Sequence, residues 1–265
     1  MPSLKLDTPD LAATYDQVSD KQFEHGKVLL KLLRIQPGER VLDIGCGTGR
    51  LGEYVAQTLV GPNGVVVGVD PLPHRIEIAR RRASPNHVTG VASSENIRAF
   101  ADSGSFDVAY LNSVYHWLPE KLPTLKEARR ALKTGGRIGI SVASLERPHE
   151  IQTILGQIWR ETGLNPDLGG SAPHKVSAAQ LAAQLEEGGF HIDEISLRTF
   201  TDTFADAEAV LDFNRSSSFG NFLAEHPQDV RSRVLSALTT ELDRRRTAQG
   251  IILKRHLLFA VATAA

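Results

Sequence analysis

The chain has 265 residues, 41% hydrophobic and 23% charged, with 30 basic against 31 acidic side chains and a formal net charge of −1. These are ordinary globular proportions, with room for one full α/β domain and a smaller lid but not for two large domains. The balanced charge excludes a global field for phosphate backbones, and the single cysteine, Cys46, excludes an intrachain disulfide and a cysteine-rich zinc site.

Along the chain, the first dozen residues read as frayed, and a helical segment is expected from about Thr14 to Leu33, closed by Pro37-Gly38. Val41-Leu-Asp-Ile-Gly-Cys-Gly-Thr-Gly49 follows, a short apolar strand breaking into a turn with glycines at alternate positions, which lets the backbone approach a bound molecule closely. A dinucleotide fingerprint, Gly-x-Gly-x-x-Gly directly after the strand, fails here because Arg50 stands at the third glycine position; Gly47, Gly49 and Gly52 satisfy it only two residues late. Leu51 to Leu59 reads as an amphipathic helix stopped by Gly61-Pro62. The apolar run Gly64 to Val69 then ends in Asp70, 21 residues beyond Gly49, where nucleotide-binding sheets place the acid that holds ribose hydroxyls. Asp70 can serve at the same time as an N-cap for a helix over His74 to Arg80.

Further strands are expected around His87 to Val91, at Phe106 to Leu111 and at Arg137 to Val142, alternating with helices as a parallel sheet requires. Ser177 caps a strong helix that stops at Gly188-Gly189, and Ile192 to Phe204 alternates as a strand. A helix from about Gln228 to Ala248 precedes a final strand at Ile251 to Ala264. Two stretches, Ser144 to Lys175 and Ala205 to Gln249, fall outside the basic sheet. Arg80-Arg81-Arg82 and Arg244-Arg245-Arg246 read as solvated helix ends or faces rather than a nucleic-acid surface. With no charged-then-apolar leader and no apolar run of about 18 residues, a soluble cytoplasmic protein is expected, with no nucleic-acid or membrane partner.

The run Asp43-x-Gly45-x-Gly47-x-Gly49, with its acid two residues before the first glycine, resembles the first motif of class I S-adenosylmethionine-dependent methyltransferases. The resemblance covers roughly residues 36 to 204 and the last strand. It implies an α/β, Rossmann-like, seven-stranded and mostly parallel sheet with helices on both faces, the last strand antiparallel, and a helical lid. On this reading residues 1–35 form the lid and 36–265 the methyltransferase domain, with acceptor-pocket insertions at about 144–175 and 205–249. Tyr15-Asp-Gln-Val-Ser-Asp20 and Tyr115-His-Trp-Leu-Pro119 look like the small-molecule branch that contains ubiquinone-pathway, trans-aconitate and malonyl-carrier methyltransferases. The opening segment also resembles arsenite methyltransferases, but one cysteine cannot supply the several thiolates that capture trivalent arsenic.

The cofactor that the resemblance implies is S-adenosyl-L-methionine, cradled by Gly45, Gly47 and Gly49. Asp70 would accept from both ribose hydroxyls, and Pro71 and Leu72 would cover the adenine faces. Ser93, standing where the family often has Asp, and the backbone of Ser94 would meet the adenine edge. Asn112 and Ser113, at the carboxyl end of the fourth strand, would receive the methionine amine, and Tyr15 on the lid is a further ligand candidate, whereas Phe23 reads as ordinary helix packing. His116 is the catalytic candidate as a base for a hydroxyl acceptor, with packing or cofactor contact as the alternative. Trp159, Phe213, Arg215 and Phe219 are possible acceptor-pocket residues, Arg215 as a carboxylate clamp, although aromatic residues on added helices also form mini-cores. The nine histidines show no close ligand pair, so no metal is expected, and the Asn/Asp-Pro-Pro-aromatic motif of base-amine methylation is absent.

Taken together, the sequence points to metal-free, in-line methyl transfer to a small organic molecule, with oxygen the favoured acceptor atom. Transfer to nitrogen or carbon on the same fold is the alternative, as is a non-catalytic cofactor-binding regulatory or partner protein. Monomer and homodimer both remain open.

Overall fold

The computed structural model describes residues 8–163, 173–215, 223 and 226–265. Seven strands form one sheet: β1 (Arg40–Ile44), β2 (Val65–Asp70), β3 (His87–Val91), β4 (Phe106–Asn112), β5 (Leu132–Ala143), β6 (Phe190–Phe204) and β7 (Ile251–Ala264), in the order β3-β2-β1-β4-β5-β7-β6. Neighbours from β3 to β5 are parallel, and β7 runs antiparallel to both β5 and β6. The chain leaves β1 for β2 and β3 on one side and returns to β4 on the other, so the topological switch point lies between β1 and β4. In such sheets the crevice outside the carboxyl ends at that point is where ligands bind.

The period-2 alternation of the strands sorts the core into two layers. Leu42, Ile44, Ala109 and Leu111 face one side with α5 (Leu122–Ala131) and α7 (Ala178–Glu187). Val41, Val66, Val108 and Tyr110 face the other, against Leu29, Leu30 and Leu33 of α2 (Asp20–Leu33) and Leu51 of α3 (Arg50–Tyr54). α4 (Pro73–Arg80) packs beside β2 and β3.

A third core has nothing to do with these layers. The β6–β7 ladder continues from Thr199↔His256 to Phe204↔Ile251, beyond the last pair that β7 makes with β5, Ala143↔Leu257. On this projecting hairpin lie α6 (Glu150–Thr162), α8 (Ala207–Arg215) and α9 (Gln228–Arg244), burying Ile154, Trp159, Val210, Phe213, Val234 and Leu238 together with Phe204, Ile251 and Leu253. The two stretches outside the basic sheet therefore form one helical cap.

Two expectations are corrected. The N-terminal helix starts earlier and is broken: α1 (Pro9–Val18) has Thr8 as N-cap, accepting from the Leu11 N–H at 3.2 Å, and Pro9 at a position that needs no N–H donor. The break at Ser19 is held by Arg50, whose Nη1 donates to the Asp16 carbonyl (3.2 Å) and to Ser19 Oγ (3.1 Å). The helix after the glycine loop loosens from α3 into a π-helical turn over Val55–Val60 before Gly61 stops it. The arginine runs lie at helix ends as expected, with five of the six residues exposed, and two of them form ion pairs: Arg82 with Asp16 (3.0 Å) and Glu53 (3.2 Å), Arg245 with Glu150 (3.0 Å) and Glu241 (2.8 Å). Among the described residues no helix is long and apolar enough to cross a membrane.

Candidate functional site

One cavity of about 1000 Å³ opens at the carboxyl ends of the strands, large enough to take two small molecules side by side. Its first wall comes from the ends of β1, β2 and β3. Gly45 turns at φ +81°, and a Cβ there would overlap Val114; Gly47 turns at φ +56° with the ring of Tyr15 as the nearest neighbour of any side chain it might have had, 3.6 Å away. Asp70 is buried behind them. Its Oδ2 accepts from the Gly47 N–H (2.9 Å) and its Oδ1 from the Leu72 N–H (3.0 Å), so the carboxylate braces the glycine loop. Pro71, Leu72, Ser93 and Ser94 continue this wall, with Ser94 Oγ hydrogen-bonded to Thr124 Oγ1 at 2.8 Å. The guanidinium of Arg75, from α4, lies over the Tyr15 ring at 4.0 Å and lines the cavity.

Asp43, the acid of the glycine motif, lies beneath the loop rather than in the cavity. It is buried and accepts from the Tyr110 hydroxyl at 2.7 Å; burial raises its pKa to about 7 despite that hydrogen bond. At the end of β4, Ser113 sits at φ +60°, a strained value for a side chain, and its N–H donates to the Ser141 carbonyl (3.1 Å) and Oγ (3.0 Å). The Asn112 side chain is occupied: Oδ1 accepts from Ser141 Oγ (2.7 Å) and Nδ2 donates to the Gln22 carbonyl (3.1 Å), which ties α2 to the sheet. Both polar atoms of the Asn112 side chain thus have protein partners.

The opposite wall belongs to the cap and to the ends of β5 and β7. His116 lies in a 3-10 turn (Tyr115–Trp117) held by Lys121, whose ammonium donates to the carbonyls of Tyr115 (2.6 Å) and His174 (3.1 Å). His116 Nδ1 accepts from the Ala143 N–H at 3.5 Å, which puts the proton of the neutral ring on Nε2. Burial, with Lys121, Lys175 and Arg255 adding positive field, pushes its pKa down to about 3. His149 is arranged likewise: Nδ1 accepts from the His256 N–H at 3.2 Å, and burial beside Arg255, His116 and Lys175 holds its pKa well below the usual histidine range. His25, from α2, is lowered to about 4 by burial and by Arg255.

The cations of this wall differ in their partners. Arg255 Nε donates to Asp202 at 2.7 Å, and its guanidinium lies 4.9 Å from the Phe213 ring centre. Lys175 donates to the neutral Gln152 Oε1 at 2.5 Å, and among the described residues no carboxylate stands within ion-pair distance of it. Burial lowers its pKa. This end of the cavity is therefore a set of hydrogen-bond donors with a positive field.

Of the residues expected from the sequence, Tyr15, Gly45, Gly47, Asp70, Pro71, Leu72, Ser93, Ser94, Asn112, Ser113 and His116 all line this one cavity, as do Trp159 and Phe213. Gly49 does not. It turns at φ +79° as the N-cap of α3, and a Cβ there would press on Ala79 of α4 at 3.0 Å, so its role is packing the loop onto the helix behind. Phe219 and the side chain of Arg215 lie outside the described residues. Sequence reasoning missed His149, Lys175, Arg255 and Arg75. No spacing or motif in the sequence marks them, and only the fold assembles them. No group of three metal-ligating side chains occurs among the described residues.

Residues 35–189 match the family model described as a methyltransferase domain. An arsenite methyltransferase of Halobacterium salinarum is 30% identical over 201 residues, which are 74% of this chain; the chain spans only 47% of that relative's length. A trans-aconitate 2-methyltransferase of Rhodopseudomonas palustris is 24% identical over 245 residues, covering 87% of this chain and 88% of the relative. Among solved structures, the YcgJ protein from Bacillus subtilis superposes with a TM-score of 0.63 at 17% identity, covering 91% of this chain and 98% of that one.

Proposed function

The chain belongs to the methyltransferase domain family, and from that premise we propose that it transfers the methyl group of S-adenosylmethionine to a carboxylate oxygen of a small organic acid. The residues fit the cofactor on the first wall: a glycine loop with one position open to the cavity, a buried carboxylate at the end of β2, and apolar and hydroxyl side chains beyond it. α1 and α2 serve as the lid and the cap as the acceptor-binding insertion. Bound there, the cofactor supplies a methyl carbon already activated by its sulfonium, so that a carboxylate lone pair forms the C–O bond as the C–S bond breaks and the electron pair leaves with sulfur.

The observation that carries the acid reading is Lys175, a half-buried ammonium lining the cavity with a neutral partner and, among the described residues, no carboxylate. Leaving such a charge in a water-poor wall is costly unless a ligand's negative charge answers it. His116 and His149 add N–H donors rather than bases. A carboxylate is ionised at neutral pH and gives up no proton on methylation, whereas a hydroxyl acceptor needs a base, for which an imidazole of pKa about 3 is poorly matched. His116 is accordingly assigned to positioning the acceptor, and alignment together with exclusion of water provides the catalysis. The trans-aconitate relative, named for an organic acid, agrees with this reading.

The test is transfer of a labelled methyl group to a panel of small carboxylic acids and to their primary amides. Acids should take up label and amides should not. Methylation of neutral hydroxyl compounds, with acids neither turning over nor inhibiting, would overturn the acid reading and return His116 to the role of base.

A further inference from the structure

Arg255 is built into the cavity more firmly than an incidental cation. It comes from the part of β7 that projects beyond the sheet, opposite Phe200 of β6, while Asp202 stands opposite Leu253. The Asp202 carboxylate is buried, at 5% exposure. Its Oδ2 takes the Arg255 Nε–H at 2.7 Å, and its Oδ1 lies 3.9 Å from His25 Nε2 of α2. The Phe213 ring lies 4.9 Å from the guanidinium carbon. With Nε fixed, the two terminal nitrogens form a fork toward the cavity that Arg255 lines, and among the described residues they have no protein partner. A fork of this kind matches the two oxygens of a carboxylate.

Lys175 and the two imidazoles can already satisfy one carboxylate. An ionised carboxyl group has about four lone-pair sites; Lys175 has two N–H bonds left after Gln152, and His116 and His149 offer one Nε2–H each. The Arg255 fork is surplus to that set. Resting on the acid reading above, we propose that Arg255, positioned by Asp202 and Phe213, binds a second anionic group of the acceptor, one that is not methylated, and so selects di-acids over mono-acids. Asp202 is the positioning residue and Arg255 the contact.

The experiment is calorimetry on the full chain loaded with S-adenosylhomocysteine, titrated with succinate, glutarate and fumarate and with the monomethyl ester of each. At least one di-acid should bind tenfold or more tightly than its monoester. Arg255→Gln should bring that ratio to about one while leaving S-adenosylhomocysteine affinity unchanged, Arg255→Lys should retain part of it, and Asp202→Asn should lower it several-fold. The ratio itself is the discriminating readout, since general loosening of the cap would weaken both members of a pair alike. Native protein that binds di-acid and monoester equally, or a folded Arg255 variant that keeps the native ratio, overturns the proposal. Failure of the native protein to bind any acid overturns the acid reading beneath it instead. Should Arg255→Gln not fold, the native ratio and the Arg255→Lys variant decide.

Discussion

The two walls of the cavity are made by opposite means. The cofactor wall is almost entirely backbone and loop: glycines in left-handed conformations, a carboxylate that braces the Gly47 N–H, and strand ends adjacent in the sheet. The acceptor wall is side chains on elements far apart in the chain, His25 from α2, His149 and Gln152 from the cap, Lys175 before α7 and Arg255 on the projecting hairpin. The first fixes one ligand's shape through positions that allow little substitution. The second sets charge and donors on a scaffold with its own core, so on the proposed function acceptor choice can change without disturbing the cofactor.

The sharpest way to break this division is at Gly45. Gly45→Ala forces a side chain into a φ of +81° and against Val114, at an expected cost of about 3 kcal/mol. Calorimetry should show S-adenosylhomocysteine binding weakened by about 100-fold or more. Adding Val114→Ala removes the overlap but not the backbone strain, and should restore only part of the affinity.

Lys175→Met tests the other wall. It removes a charge-assisted contact worth about 1.5 to 3 kcal/mol, so KM for the best acid acceptor should rise on the order of 10- to 100-fold with cofactor affinity unchanged. If cofactor binding falls as far as acceptor binding, the two walls are not separable in this way.

A smaller effect is expected at His116. As a positioning donor it should be replaced well by Gln, with kcat falling only a few-fold; loss of a general base would cost about 100-fold or more. Steady-state kinetics at saturating cofactor separates the two.

Stability against pH is a further readout, in which the buried histidines and Asp43 should contribute with opposite sign. His25 and His116 have folded pKa values of about 4 and 3, below the ordinary 6.5. Between those values and 6.5 the unfolded chain binds protons that the native protein refuses, and stability falls as pH is lowered through that window. Asp43 is raised from 3.8 to about 7, so the native protein there holds a proton that the unfolded chain has released, and its contribution is lost as pH rises toward 7. Denaturant midpoints should show a shallower acid limb in His116→Gln and a steeper rise between about pH 4 and 7 in Asp43→Asn.

The same division explains what could be read before folding. Asp43-x-Gly-x-Gly-x-Gly and the following strand ending in Asp70 are local signals, because the backbone geometry they encode is local. They located the loop, the sheet direction and most of the residues that line the cavity at the ends of β1, β2 and β3. Gly49 shows the limit: its spacing matches the loop, but whether its missing Cβ clears a ligand or a helix depends on where α4 packs. The break at Ser19 is set by Arg50, and Asn112 is occupied by Ser141 and Gln22, all partners outside any local window. Lys175 and Arg255 carry no local signal at all. Their meaning comes from the absence of a carboxylate beside one, among the described residues, and the presence of Asp202 beside the other, which only the assembled cap and hairpin reveal.

The most direct test of the central claim, an anion site facing a methyl donor, is the chemistry of the bond made. The protein is incubated with carbon-13-methyl S-adenosylmethionine and the best acid of the panel, and the product is treated with alkali under conditions that saponify esters. The account predicts that the label leaves as methanol and the free acid returns. Label that stays on the acceptor through alkali, as an ether, an amine or a new carbon–carbon bond, would contradict it.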